Sequence, residues 1–191
     1  CYVGKAWRRG FLDIESYGLT ADFGIMLTYS IKEEGTSKIY SSMITAEDIK
    51  KSKGGDEDRA VVTACVHDIL LFDEVVTFYG GDWRFDLPYI RTRAVAMGIP
   101  FPLYGSVKGV DIYPIMKAKF RLGSNRQENC ARTLLGKTDK NHVVGAVWRA
   151  AARGEPEALT YIMDHNLRDV RDLERLYHKV IEFTKGGRKS I

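Results

Sequence analysis

The chain has 191 residues, 45% of them hydrophobic and 28% charged, with a formal net charge of +4 and a sequence pI of about 8.9. That length supports one domain with a substantial core, and the mildly basic balance is compatible with a nucleic-acid partner without requiring one. No apolar run reaches the length of a membrane span, the opening "CYVGKAWRRGFLDIE" lacks a signal-peptide layout, and Cys1, Cys65 and Cys130 form neither a disulfide framework nor a zinc pattern. A reducing, cytoplasmic setting is the expectation. The missing initiator Met leaves room for a trimmed start or a longer parent chain.

In chain order, "GFLDIES" (10–16) reads as a short buried strand. "FGIMLTYSIKEEG" (23–35) and "TSKIYSSMI" (36–44) read as a strand pair turning at Glu33–Gly35, and "KKSKGGDED" (50–58) as a polar loop. The stretch 57–72 has apolar residues at 61, 62, 65, 66, 69 and 70, which is helical spacing. "EVVTFYGG" (74–81) is a strand ending in glycines, and "LPYIRTRAVAMG" (87–98) a helix with Pro in an early turn and Gly at its end. "GVDIYPIMKAKF" (109–120) starts as a strand and becomes a helix; helical stretches at 126–136, 141–153 and 155–184 follow. Strands come first and helices accumulate later, which predicts an α/β fold, a mixed β-sheet flanked by α-helices.

Three segments carry acidic residues in patterns with chemical meaning. In "FLDIES", Asp13 and Glu15 are two apart on a strand and share one face, while Leu12 and Ile14 share the other. Adjacent carboxylates near a core need a cation or a proton; a solvated edge strand is the plainer reading, and the apolar flanks favour a central strand. In "YGGDWRFDLPYI", Asp86 opens a helix after a glycine-rich strand end, where capping alone accounts for it. Gly80 and Gly81 fit a simple turn, or a close approach of backbone to ligand. In "HNLRDVRDLERLY" (165–177), His165 and Asp169 are four apart on one helix face. At about 100° per residue, Asp169 lies beside Ile162, Leu173 and Val180, whereas Arg168, Arg171 and Arg175 fall on a different, solvated face. A hydrogen-bonded core histidine, or an aspartate held by an arginine, would give the same pattern.

The set is more specific than its members. D-x-E on a first strand, F-D after a glycine-rich strand end, and H-x-x-x-D on a late helix together resemble the DEDD superfamily of 3′–5′ exonucleases, from about Gly10 to Tyr177. "DIESYGLTADFG" (13–24), "FDLPYIRTRA" (85–94) and "ALTYIMDHNLRDVRDLERLY" (158–177) resemble stand-alone phage- and bacteria-type members. The resemblance implies a ribonuclease H-like fold, with residues 1–191 as a single exonuclease domain. It implies that Asp13, Glu15, Asp86 and Asp169 hold two divalent cations, Mg²⁺ or Mn²⁺, for which hard carboxylate oxygens are suited. Two such ions about 4 Å apart stabilise both the attacking and the leaving oxygen of a phosphodiester displacement. His165 would contact the attacking water as base or orienter.

Two departures from the family pattern stand out. The residue on the last helix is there a Tyr four before the Asp, or a His five before it; here His165 has the tyrosine's offset. With reference pKa values near 10 for Tyr and near 6.5 for His, the imidazole is the better base at neutral pH. The Asn that often precedes F-D in polymerase-type proofreading domains is missing; the segment reads Gly80, Gly81, Asp82.

Tyr17, Leu19 and Phe85 flank the acidic residues as candidates for wedging or stacking terminal bases, with core packing an equal reading for Leu19 and Phe85. Asn125 and Arg126 precede a helix and are candidates for phosphate contact, against an even alternative of a solvated loop. Asp111 reads as a cap for the helix after it, and Trp148 as a packing anchor. The implied function is hydrolysis of single-stranded DNA from its 3′ end with release of nucleoside monophosphates, DNA being favoured over RNA only through the resemblance. The residues leave open an exoribonuclease, a proofreading domain of a larger polymerase with a polymerase or replication and repair partner, and a non-catalytic nucleic-acid-binding module. The intact acidic quartet argues against the last, because unused clustered carboxylates only destabilise a site.

Overall fold

The computed structural model describes residues 7–81, 83–136 and 143–184. Five strands, β1 (Arg9–Tyr17), β2 (Ile25–Glu33), β3 (Ile39–Met43), β4 (Glu74–Thr77) and β5 (Lys108–Asp111), form one sheet in the order β3-β2-β1-β4-β5. β1 pairs antiparallel with β2 and parallel with β4, and β4 pairs parallel with β5. The sheet is therefore mixed and β1 is its central strand, as its apolar flanks predict. The helices among the described residues are α1 (Ala46–Lys51), α2 (Arg59–Ile69), α3 (Asp86–Ala96), α4 (Tyr113–Lys119), α5 (Gln127–Leu135), α6 (Gly145–Ala152) and α7 (Pro156–Val180), with a 3-10 turn at Ile181–Thr184. None of them is long and apolar enough to cross a membrane.

α7 sets the architecture. Pro156 opens it, where a missing N–H costs nothing, and it buries Ala158, Leu159, Ile162, Val170, Leu173, Leu176, Tyr177 and Val180, the stripe of a helix lying on a sheet. It packs along β1 and β2, and α5 and α6 pack on it. Phe11 joins Leu173, Leu176 and Tyr177 in one apolar cluster. Leu12 and Ile14 join the α2 residues Val61, Val62 and Cys65 and the α3 residues Tyr89 and Ile90 in the other. The alternation of β1 thus sends even positions to the main core and odd positions toward α7. Lys32 on β2 pairs with Glu174, whose other oxygen accepts the Gly35 N–H at 2.8 Å, fixing α7 against the β2–β3 turn.

Some elements differ from the sequence reading. Residues 46–51, with no apolar stripe to reveal them, form α1 through a capping box between Thr45 and Asp48. The strand expected over 74–81 pairs only through Thr77, because the chain turns out of the sheet after it; Tyr79 has a φ of 63°. The helix expected over 141–153 is observed from Gly145, and positions 141 and 142, like Cys1, lie outside the described residues. Trp148 packs against the core as expected.

A buried ion pair ties the far layer to the loop after β1. Arg93 donates to Asp58 through Nε at 2.9 Å and to the carbonyls of Gly55 and Ala21, while Asp58 also accepts the Met26 N–H at 2.7 Å. Both side chains are at least 95% buried. Removing one partner strands a charge, so Arg93→Ala is expected to cost about 3–5 kcal/mol in urea unfolding. A loss under 1 kcal/mol would mean that the pair does not organise this region.

Candidate active site

Past Phe11, the α7-facing side of β1 becomes acidic. Phe11 meets the Tyr177 ring at 5.4 Å, Asp13 Oδ2 accepts the Asn166 Nδ2–H at 2.6 Å, and Glu15 Oε1 lies 3.4 Å from His165 Nε2. α7 therefore runs antiparallel to β1, and its inward stripe turns polar where it passes the strand's C-terminal half. One turn on, Asp169 Oδ2 is 3.6 Å from the same His165 Nε2. Ligand atoms of Glu15, His165 and Asp169 all lie within 4.8 Å of one another. The register of β1 with β2 shifts directly after Glu15, an irregularity of the kind that re-aims side chains beside functional sites. Gln127, at the start of α5, donates to the Asp169 carbonyl at 2.8 Å.

Asp86 reaches the cluster from the other side of the sheet. It is the first residue of α3 and accepts the backbone N–H of Ile14, so its carboxyl turns toward β1 rather than capping its own helix. Burial, followed by the charges of Asp13, Asp111 and Asp169, pushes it well above the usual carboxylate range, against the lowering effect of the Ile14 hydrogen bond. Gly80 makes this approach possible, because a Cβ there would lie 1.9 Å from Asp86 Oδ2. The glycine turn is held by Asp111, which accepts the N–H groups of Tyr79 at 2.9 Å, Gly81 at 3.2 Å and Tyr113 at 2.9 Å and pairs with Arg84. The Arg84 guanidinium covers the rings of Tyr79 and Tyr113. Asp111 thus does more than cap α4: it fastens the left-handed Tyr79 turn that delivers Asp86.

Of the five residues expected to be catalytic, Glu15, His165 and Asp169 lie within 4.8 Å of one another, and Asp86 feels the charges of Asp13 and Asp169. The expected substrate residues are more dispersed. Tyr17 is the last residue of β1 and Leu19 stands on the loop after it, with Leu19 86% exposed and so not a core residue. Phe85 packs against the core, 5.4 Å from the Tyr89 ring. Asn125 is half-buried and Arg126 exposed beside the Gln127 contact to α7. Asp82 lies outside the described residues. Arg168 pairs with Asp164 at 2.6 Å and Arg175 with Asp172 at 3.1 Å, away from the cluster. The sequence reading passed over Asn166 although it lies on the buried stripe, four from Ile162 and three from Asp169. It also passed over the exposed aromatics Phe23 and Trp83.

These residues fit divalent cations. Four carboxylates offer hard oxygen donors, and carboxylates gathered near a core call for a cation or a proton. A family model described as RNase_H superfamily matches residues 10–181. No curated protein matches the chain.

Two substitutions test this geometry. In metal-free protein at pH 8, Asp86→Asn is expected to raise Tm by about 2–4 °C, the shift roughly 1 kcal/mol produces at this chain length. The gain should shrink as pH falls through the raised folded-state pKa, since the wild-type carboxyl then takes up a proton. An unchanged or lowered Tm at pH 8 would contradict the crowding. Gly80→Ala should leave the far-ultraviolet circular dichroism spectrum intact and displace Asp86, abolishing stabilisation by added Mg²⁺; full retention of that stabilisation would contradict the packing.

Proposed function

The chain belongs to the RNase_H superfamily, which supports a nuclease-type hydrolase acting on nucleic acid, and from that premise we propose that it is a metal-dependent 3′–5′ exonuclease of single-stranded DNA. The observation that supports this reading is the grouping of Glu15 from the central strand with His165 and Asp169 from α7 within 4.8 Å, beside an Asp86 carboxyl on α3 that feels the charges of Asp13 and Asp169. Two divalent cations bound there would supply positive charge to the attacking and leaving oxygens of a phosphodiester.

The chain's own residues prepare that site. Asn166 holds the Asp13 carboxylate in one orientation, and the Ile14 N–H holds that of Asp86. Glu15 and Asp169 are presented from a strand and a helix that pack on each other, which favours a fixed geometry over an adaptable one. His165 is buried between them. Tyr17 at the end of β1 and Leu19 on the loop after it stand exposed just beyond Glu15, where such side chains could meet the faces of unstacked bases without reading their sequence. That suits a single-stranded end of any composition. Read as one domain over residues 1–191, the chain supplies all four residues of the proposed acidic set itself. A polymerase or a replication or repair protein is a fitting partner for such an activity.

End-labelled oligonucleotides test the proposal. Single-stranded DNA labelled at its 5′ end should give a descending ladder, and DNA labelled at its 3′ end should give labelled mononucleotide first. Both should require Mg²⁺ or Mn²⁺ and stop with EDTA. Asp13→Asn should abolish cleavage with Tm maintained. Internal cuts, degradation from the 5′ end, or wild-type activity in Asp13→Asn would each overturn the reading; faster loss of a matched RNA would move it to an exoribonuclease.

A further inference from the structure

Resting on the cation-dependent reading above, we infer that His165 is itself a cation ligand, and that Glu15, His165 and Asp169 form a mixed nitrogen–oxygen site that selects Mn²⁺ over Mg²⁺. The distances approach those of ligands sharing one ion. Donors bound at about 2.1 Å are separated by roughly 3.0 Å at octahedral cis positions and roughly 3.4 Å at tetrahedral ones. His165 Nε2 is 3.4 Å from Glu15 Oε1 and 3.6 Å from Asp169 Oδ2, and one ligand atom from each of the three falls within a 4.8 Å span. An imidazole that only orients a water stands outside the ligand set and faces it across that water. Here the ring nitrogen is 3.4 and 3.6 Å from the two carboxylate oxygens, with no room for a water between them.

The tyrosine-like offset explains the placement. Four residues on α7 set His165 and Asp169 one turn apart on the same face, side by side, the spacing by which two residues of one helix chelate one ion. A tyrosine at this position would offer a phenol, a poor ligand while protonated; the histidine substitutes a nitrogen donor. His165 is 6% exposed and Asp169 3%, so the donors are fixed by packing and are not shared with bulk solvent. Imidazole nitrogen favours transition-metal ions, whereas Mg²⁺ prefers oxygens and retains its waters. With two hard carboxylates beside one nitrogen, Mn²⁺ satisfies all three donors. Asp13 and Asp86, held by Asn166 and the Ile14 N–H, keep an all-oxygen side for the second ion.

A histidinium paired with the two carboxylates would give the same distances in the metal-free chain, so the test must see the bond itself. Full-length protein is loaded with less than one equivalent of Mn²⁺ and examined by electron spin-echo modulation. The wild type should show a directly bound ¹⁴N that changes to the ¹⁵N pattern when only histidine is labelled. The signal should vanish in His165→Gln, and the preference for Mn²⁺ over Mg²⁺ in thermal-shift titrations should fall by on the order of tenfold or more. Isotope labelling keeps the test decisive about nitrogen even if the variant folds poorly. Bound Mn²⁺ without nitrogen modulation, or modulation that survives in folded His165→Gln, overturns the inference and leaves the cation reading standing. No Mn²⁺ uptake at all overturns both.

Discussion

Like charge in a small buried space is the constraint on which the rest of the structure depends. Asp13, Glu15, Asp86 and Asp169 repel one another wherever they meet, and burial worsens the repulsion by removing the water that screens it. A chain folding only for stability would keep them apart. This one draws them from a central strand and two helices, and burial, followed by the charges of Asp13, Asp111 and Asp169, pushes the Asp86 carboxyl well up. The apolar clusters on either side of β1 supply the cohesion that opposes the repulsion, and the Asn166 amide and Ile14 N–H stabilise individual carboxylates.

The supporting contacts follow from that constraint. Asp86 reaches β1 only across a backbone with no Cβ at position 80, and the turn carrying Gly80 is fixed in a left-handed conformation by Asp111 and Arg84. Arg93 and Asp58 bind the loop after β1 to the α2–α3 layer through the Ala21 carbonyl and the Met26 N–H. Glu174 and Lys32 lock α7 at its other end. Each of these ties restrains a segment that carries or borders an acidic residue. These ties restrain the segments that carry the cluster.

Much of this was legible in the sequence because it lies in periodicity. The two-residue alternation of "FLDIES" and the 3.6-residue stripe of 158–180 determine which side chains face each other, and the structure brings them together as those periods require. What was not legible depends on contacts between distant segments. Asp111 reads as a local cap, and only the folded turn reveals that it also grips residues 79 and 81. Asn166 was overlooked because an amide on a buried helix face has no motif of its own, although its stripe position marked it as inward. α1 was missed because a capping box without an apolar face leaves a weak signal. Phe85 and Leu19 illustrate the limit for single apolar residues: both flank acidic residues in the sequence, yet one packs against the core and the other is exposed.

The most direct measurement of the central claim is the number of ions the cluster holds. Titration of metal-free chain with Mn²⁺, following the free-ion resonance, should find two ions bound per chain. Mg²⁺ should displace at least one of them, and Asp13→Asn should lower the count. A chain that takes up no Mn²⁺ at millimolar concentration, or takes up as much after Asp13→Asn as before, would contradict the account.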